Sequence, residues 1–195
     1  MKIDKKLNLV SHITREDGEV VYLHVTPLPY EVVEENCLLL GNLFTSFISQ
    51  VGGLGAARVA AMMLRKKLKQ EQEARRDAGL ASGPSIADDI HRMTNVVYCD
   101  TGKWKTIPLD TALKQEIVTA DEYREVEGEV VFFMVSSAIQ KSELIAPTVG
   151  SVIGMYGGQL TPSGVTAFRD SLLTLSQDTD TQNPNPPPET SFIPS

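Results

Sequence analysis

The sequence predicts a mainly α protein with small β-hairpins, an α+β fold: a compact helical body, an N-terminal β-hairpin and a disordered C-terminal tail. Three observations predict it. Two short alternating runs flank Asp17-Gly18, a dipeptide whose positions both tolerate positive φ and so suit a tight hairpin turn. Apolar residues then recur at steps of three and four over long stretches. From Thr174 onward the composition changes: the last 22 residues hold five prolines, three acids and no base, too little apolar surface to order. With 195 residues, 42% of them hydrophobic, the chain is long enough for one cored body over residues 1–173 and a tail over 174–195.

The elements follow in order. Residues 7–14 and 19–26 alternate as strands of the first hairpin, which occupies residues 1–26. Val20, Tyr22 and His24 share one face, so His24 reads as a structural or solvated strand histidine. Pro27 and Pro29 end the second strand and suit a helix entry. Val33, Cys37, Leu40, Phe44, Phe47, Ile48 and Val51 then mark a broad amphipathic helix over 30–50, stopped by Gly52-Gly53. A second long helix spans 54–77, with a stripe of Leu54, Ala57, Ala61, Leu64 and Leu68. Its alanines at 56, 57, 60 and 61 allow close helix approach. From Arg65 it is polar all round, so it projects into solvent or onto a partner. "DAGLASGPS" breaks the pattern, and Ser85 caps a short helix over 86–93.

Residues 95–109 read as a second hairpin turning at Gly102, and 110–117 as a short helix or turn. Thr119-Ala-Asp-Glu122 is a capping box. It opens a run to residue 140 in which "EVVFFMV" would also suit a buried strand. The cap and the length favour helix, with Gly128 as its weak point. Residues 142–156 and 163–173 read as two more helices, split by "GGQLTPSG". No internal repeat is visible.

Charge and motif content exclude several functions. The net charge of -7 argues against general nucleic-acid binding, which needs a basic face. The distribution is uneven: residues 64–76 carry six bases and two acids, a local +4 that leaves -11 elsewhere. Cys37 and Cys99 have no zinc spacing and read as reduced, buried thiols. The N-terminus lacks the apolar core of a signal peptide. Gly53-Leu54-Gly55-Ala56-Ala57-Arg58 is no phosphate loop, because a helix precedes it and Arg58 stands at the third glycine position. His12, His24 and His91 fall in unrelated segments. Asp88 and His91 are spaced to share a helix face, which suits an acidic helix start and a surface histidine. The expectation is therefore no catalytic residue, no cofactor and no metal.

Two uncharged runs, 36–57 and 144–168, are long enough to cross a bilayer. The first carries four glycines and several amides and hydroxyls; the second carries five glycines and two prolines. Such groups are expensive in lipid, so a holin-like pore protein is the weaker alternative and no membrane partner is expected. Their apolar faces instead suit other protein helices.

Several segments in order carry a more specific signal: "KKLNLV" at 5–10, "TPL" at 26–28, "RVAAMML" at 58–64, "IHRMTNVV" at 90–97, "GKWKTIPLDTAL" at 102–113 and "EVEGEVVFFMVSSA" at 125–138. This arrangement, with the "SFIPS" end, resembles the tail assembly chaperones of long-tailed bacteriophages. The resemblance implies a non-virion helper in the host cell cytoplasm. Such a helper coats the hydrophobic, helical tape measure protein and keeps it soluble until tail tube subunits polymerise around it. Self-association would let several copies cover a long client. The residues offered as partner-binding are Leu40, Phe44, Phe47, Ile48, Met62, Met63, Trp104, Phe132, Phe133 and Met134, several of which also suit a core. The tail suits a solubilising bristle, or a docking motif at Phe192-Ile193-Pro194. A structural virion component, such as a tail completion or connector protein, is the main alternative.

Overall fold

The computed structural model describes residues 7–51, 55–79 and 85–178. The tail beyond 178, the Gly52-Gly53 helix stop and most of the "DAGLASGPS" break lie outside the described residues. Five antiparallel strands form one sheet in the order β4-β3-β2-β1-β5. They are β1 (Asn8–Thr14), β2 (Val20–Val25), β3 (Thr94–Asp100), β4 (Lys103–Pro108) and β5 (Gln159–Thr161). Both expected hairpins are present. The second turns through Thr101 and Gly102, whose φ angles of 51° and 78° are both positive, the backbone of a tight two-residue turn.

The hairpins are not separate. β2 pairs with β3, placing Tyr22 opposite Val97 and Val25 opposite Thr94. The expected loop "GGQLTPSG" supplies β5, which pairs Leu160 with Leu9. Three residues are too few to display a period of two, so this strand was not legible as one.

Strand alternation gives the sheet two different faces. Leu9, Ile13, Val21, Leu23, Val25 and Val96 point into the main core. Against that face lies α6 (Ala120–Ile139), and α2 (Cys37–Val51) and α3 (Ala56–Asp77) pack on α6 to complete a helical layer. The short helices α1 (Tyr30–Glu35), α4 (Ile86–Arg92) and α5 (Leu109–Lys114) cover the borders of this layer. α6 is its centre. Every residue from Gly128 to Ser136 is buried, so the run "EVVFFMV" is helical and apolar all round because it is packed all round. Its capping box is formed: Thr119 Oγ1 accepts from the Glu122 amide, and Glu122 Oε2 accepts from the Thr119 amide.

The helix expected over 30–50 is divided at Asn36. The Asn36 side-chain amide donates to the Val32 carbonyl at 2.9 Å, and its φ of -111° leaves the helical range. The helix expected over 142–156 is α7 (Ser142–Ile145), a π-helical turn (Ala146–Gly150) and α8 (Ser151–Met155). Pro147 explains the widening, because it has no N–H to donate into an α-helical ladder. Among the described residues, the other sheet face is covered by α9 (Val165–Asp178). Cys37 is exposed and Cys99 half-buried, so the expectation of buried thiols fails, although both are free. Among the described residues, no helix is long and apolar enough to cross a membrane.

Candidate partner-binding site

The crossing of α3 over α6 sets the site. A Cβ on Gly128 would lie 2.1 Å from the Ala57 carbonyl oxygen, so only glycine permits this approach. Gly128 is thus a close-packing point rather than the weak point its helix propensity suggests. Ala57 and Ala61 lie opposite it, both buried. Beside this crossing opens a cleft of about 460 Å³, floored by these small residues. Arg58, Met62 and Arg65 line it from α3, Arg124 and Glu125 from α6, and Tyr156 from the segment after α8.

The rim sets three arginines and one acid, Glu125, beside an apolar side chain. Arg65 is paired with Glu127, and Arg124 with Asp121 at 2.7 Å. Arg58 makes no ion pair or hydrogen bond to any described residue. Met62 is 54% exposed beside the cleft, a large apolar side chain facing water.

Glu129 forms part of the lining and is only 6% exposed. Ser11 Oγ, reaching from β1, donates to its Oε2 at 2.8 Å. Burial outweighs that bond and pushes the Glu129 carboxyl up to about 7. Gly158 leaves room for the carboxyl, since a Cβ there would meet Oε2 at 3.0 Å.

The structure sorts the candidate residues sharply. Leu40, Phe47, Phe133 and Met134 are fully buried and Phe132 nearly so, which makes them core and corrects their assignment as partner-binding surface. The Phe47 and Phe132 rings pack 5.9 Å apart. Phe44 and Met63 are half-buried against that core. Trp104 is half-buried on the outer sheet face, its ring 5.8 Å from Tyr22. Ile48 and Met62 are exposed, and only Met62 belongs to the cleft.

Sequence reasoning missed Arg58, Arg124, Tyr156 and Glu129 as cleft residues. Glu129 carried a readable signal: it stands three residues after Val126 and four before Phe133, an acid on an apolar stripe. The histidines stay apart. His91 Nδ1 lies 3.0 Å from Asp110 in α5, while Asp88 serves the Ser85 cap, in line with the acidic helix start read from the sequence. His24 Nε2 meets the Ser163 carbonyl at 2.9 Å, and desolvation lowers its pKa. Among the described residues, no three His, Cys, Asp or Glu side chains converge as a metal site. What the cleft offers is shape, an exposed thioether and three arginines, two of them ion-paired. Comparison with protein-family models, curated proteins and solved structures finds no match.

Proposed function

We propose that this chain is a non-enzymatic tail assembly chaperone of a long-tailed bacteriophage, binding the tape measure protein and keeping it soluble in the host cytoplasm. Five of the segments that resemble this family fall, over their described residues, on β1, α3, α4, the β3–β4 hairpin, α5 and α6, while "TPL" lies between β2 and α1. The observation that carries the reading is the cleft at the α3–α6 crossing, where exposed Met62 stands beside Arg58, which pairs with no described residue. An apolar groove between helices, rimmed by arginines, suits an amphipathic client segment bearing acids along its polar edge. Further exposed apolar side chains, Leu38 and Ile48 on α2, give self-association a surface.

Co-expression tests the reading. The wild-type chain is expected to raise the soluble yield of a tape measure protein severalfold over expression alone. Met62→Glu with Arg58→Glu is expected to lose at least half of that gain while keeping the wild-type melting temperature. An unchanged yield with the wild-type chain overturns the reading.

A further inference from the structure

Glu129 stands between Val126 and Phe133 on an apolar stripe of α6, yet it lines the cleft and is only 6% exposed. Its two oxygens differ. Oε2 accepts from Ser11 Oγ at 2.8 Å and packs against Gly158. Oε1 accepts no hydrogen bond from a described residue, and it is not among the polar atoms sealed from solvent. Because Glu129 borders the cleft, Oε1 meets solvent there. The charged and titratable groups nearby are Arg58 and Arg65 on α3, Arg124 and Glu125 on α6, and Tyr156 after α8. From β1, His12 borders Gly157, and α2 carries no charged residue. None of these groups sets the ionisation of Glu129, which is governed by burial first and by the Ser11 bond second. Among the described residues, the carboxyl thus has no cationic partner. An unpaired carboxyl at this depth costs stability. Keeping one at the bottom of an open cleft is the pattern of a recognition group, held by burial in readiness for a partner.

We propose that Glu129 is the receptor for a primary ammonium group, the tip of a lysine side chain of the bound protein, which enters the cleft beside Met62 and pairs with Oε1. The carboxyl selects lysine over arginine. A guanidinium fork engages both oxygens of a carboxylate, and here Oε2 is already taken by Ser11. An ammonium needs only one. The walls suit the lysine stem, because Ala57, Ala61 and Met62 offer apolar surface to its methylene chain. The rim admits a cation. Arg65 and Arg124 are paired with Glu127 and Asp121, and Glu125 adds an acid. Arg58 is exposed, so water and salt screen its repulsion. Pairing requires the ionised carboxyl, which titrates near 7, so ammonium affinity rises with pH through that range. This site rests on the client reading of the cleft and adds to it a lysine that the client must present.

The test uses the full chain and, as probe, lysine capped as its N-acetyl methylamide, so failure here leaves the tape measure experiment standing. Norleucine capped in the same way, which lacks the ammonium, is the control. Binding is read from the Met62 methyl resonance in an NMR titration. Wild type is expected to bind capped lysine about tenfold tighter at pH 8 than at pH 5.5, with no such change for norleucine. Glu129→Gln is expected to lose the pH dependence and to bind the two probes alike. Capped-lysine binding that is absent, independent of pH, or equal in wild type and Glu129→Gln overturns the proposal. Should Glu129→Gln not fold, carbon-13 titration of the Glu129 carboxyl in the wild-type chain decides. Excess capped lysine is expected to lower its midpoint by about half a pH unit or more. An unchanged midpoint overturns the proposal.

Discussion

Glu129 occupies a position where an apolar side chain would be the default, and its ionisation works against the fold. Its carboxyl titrates near 7 in the folded chain against an ordinary value of 4.5. The folded state therefore holds a proton that the unfolded state releases between those values, and stability falls as pH rises through that window. The full difference corresponds to about 3 kcal/mol above pH 7. Glu129→Gln keeps an acceptor for Ser11 and cannot ionise. It is expected to be more stable than wild type at pH 8 and close to it at pH 4.5, read as the difference between the two urea-denaturation curves. A constant difference across that range contradicts the burial argument. Gly128 makes a second residue-scale claim. Gly128→Ala gains about 1 kcal/mol of helix propensity, yet it forces a methyl group against the Ala57 carbonyl. Because backbone, not a flexible side chain, must move, a net loss of about 3 kcal/mol is expected. Unchanged stability contradicts the close crossing.

At the scale of elements, much of the fold was legible because its signals are local. The Asp17-Gly18 turn, the Thr119 capping box and the apolar steps of α2 each depend on neighbours within a few residues. The union of the two hairpins was not legible, since four helices, α1 to α4, separate β2 from β3 and no pattern in either strand names its partner. Phe47, Phe132 and Phe133 were left between core and partner surface for a related reason: periodicity shows that a helix face is apolar, not what covers it. Here α2 and α6 cover each other. Contacts between elements also yield a prediction. Arg15, at the end of β1, bonds Glu122 at 2.7 Å, Glu19 at 2.6 Å and the Ile117 carbonyl, so it fastens the first hairpin to the start of α6. Its guanidinium holds the Glu122 carboxyl below the ordinary value. Arg15→Ala is expected to cost about 1–2 kcal/mol, since it strips several charge-assisted bonds from a partly buried site. By contrast, Lys69→Ala on the solvent-facing half of α3 breaks only a 3.9 Å exposed pair with Glu73 and should change stability by less than about 0.5 kcal/mol. Equal effects of the two substitutions in thermal unfolding contradict the fastening role.

At the scale of the whole molecule, the sheet is covered on both faces, and the two coverings differ. The inner layer is thick and closed around α6, and it leaves an arginine-rimmed, apolar cleft on its surface. Among the described residues, the outer layer is α9. A net charge of -7 opposes self-aggregation of a molecule that presents apolar groups. The chaperone reading makes the chain a helper used during assembly and then released. Mass spectrometry of purified virions is accordingly expected to find it far below the abundance of the tail tube protein, and stoichiometric recovery would favour a structural role. The most direct measurement is pull-down of the tape measure protein from a co-expressing cell by the tagged full chain, wild type against Met62→Glu with Arg58→Glu. Capture by the wild type and its loss in the folded double variant is the predicted result. Equal capture by both, or capture by neither, would contradict the assignment of the α3–α6 cleft as the client site.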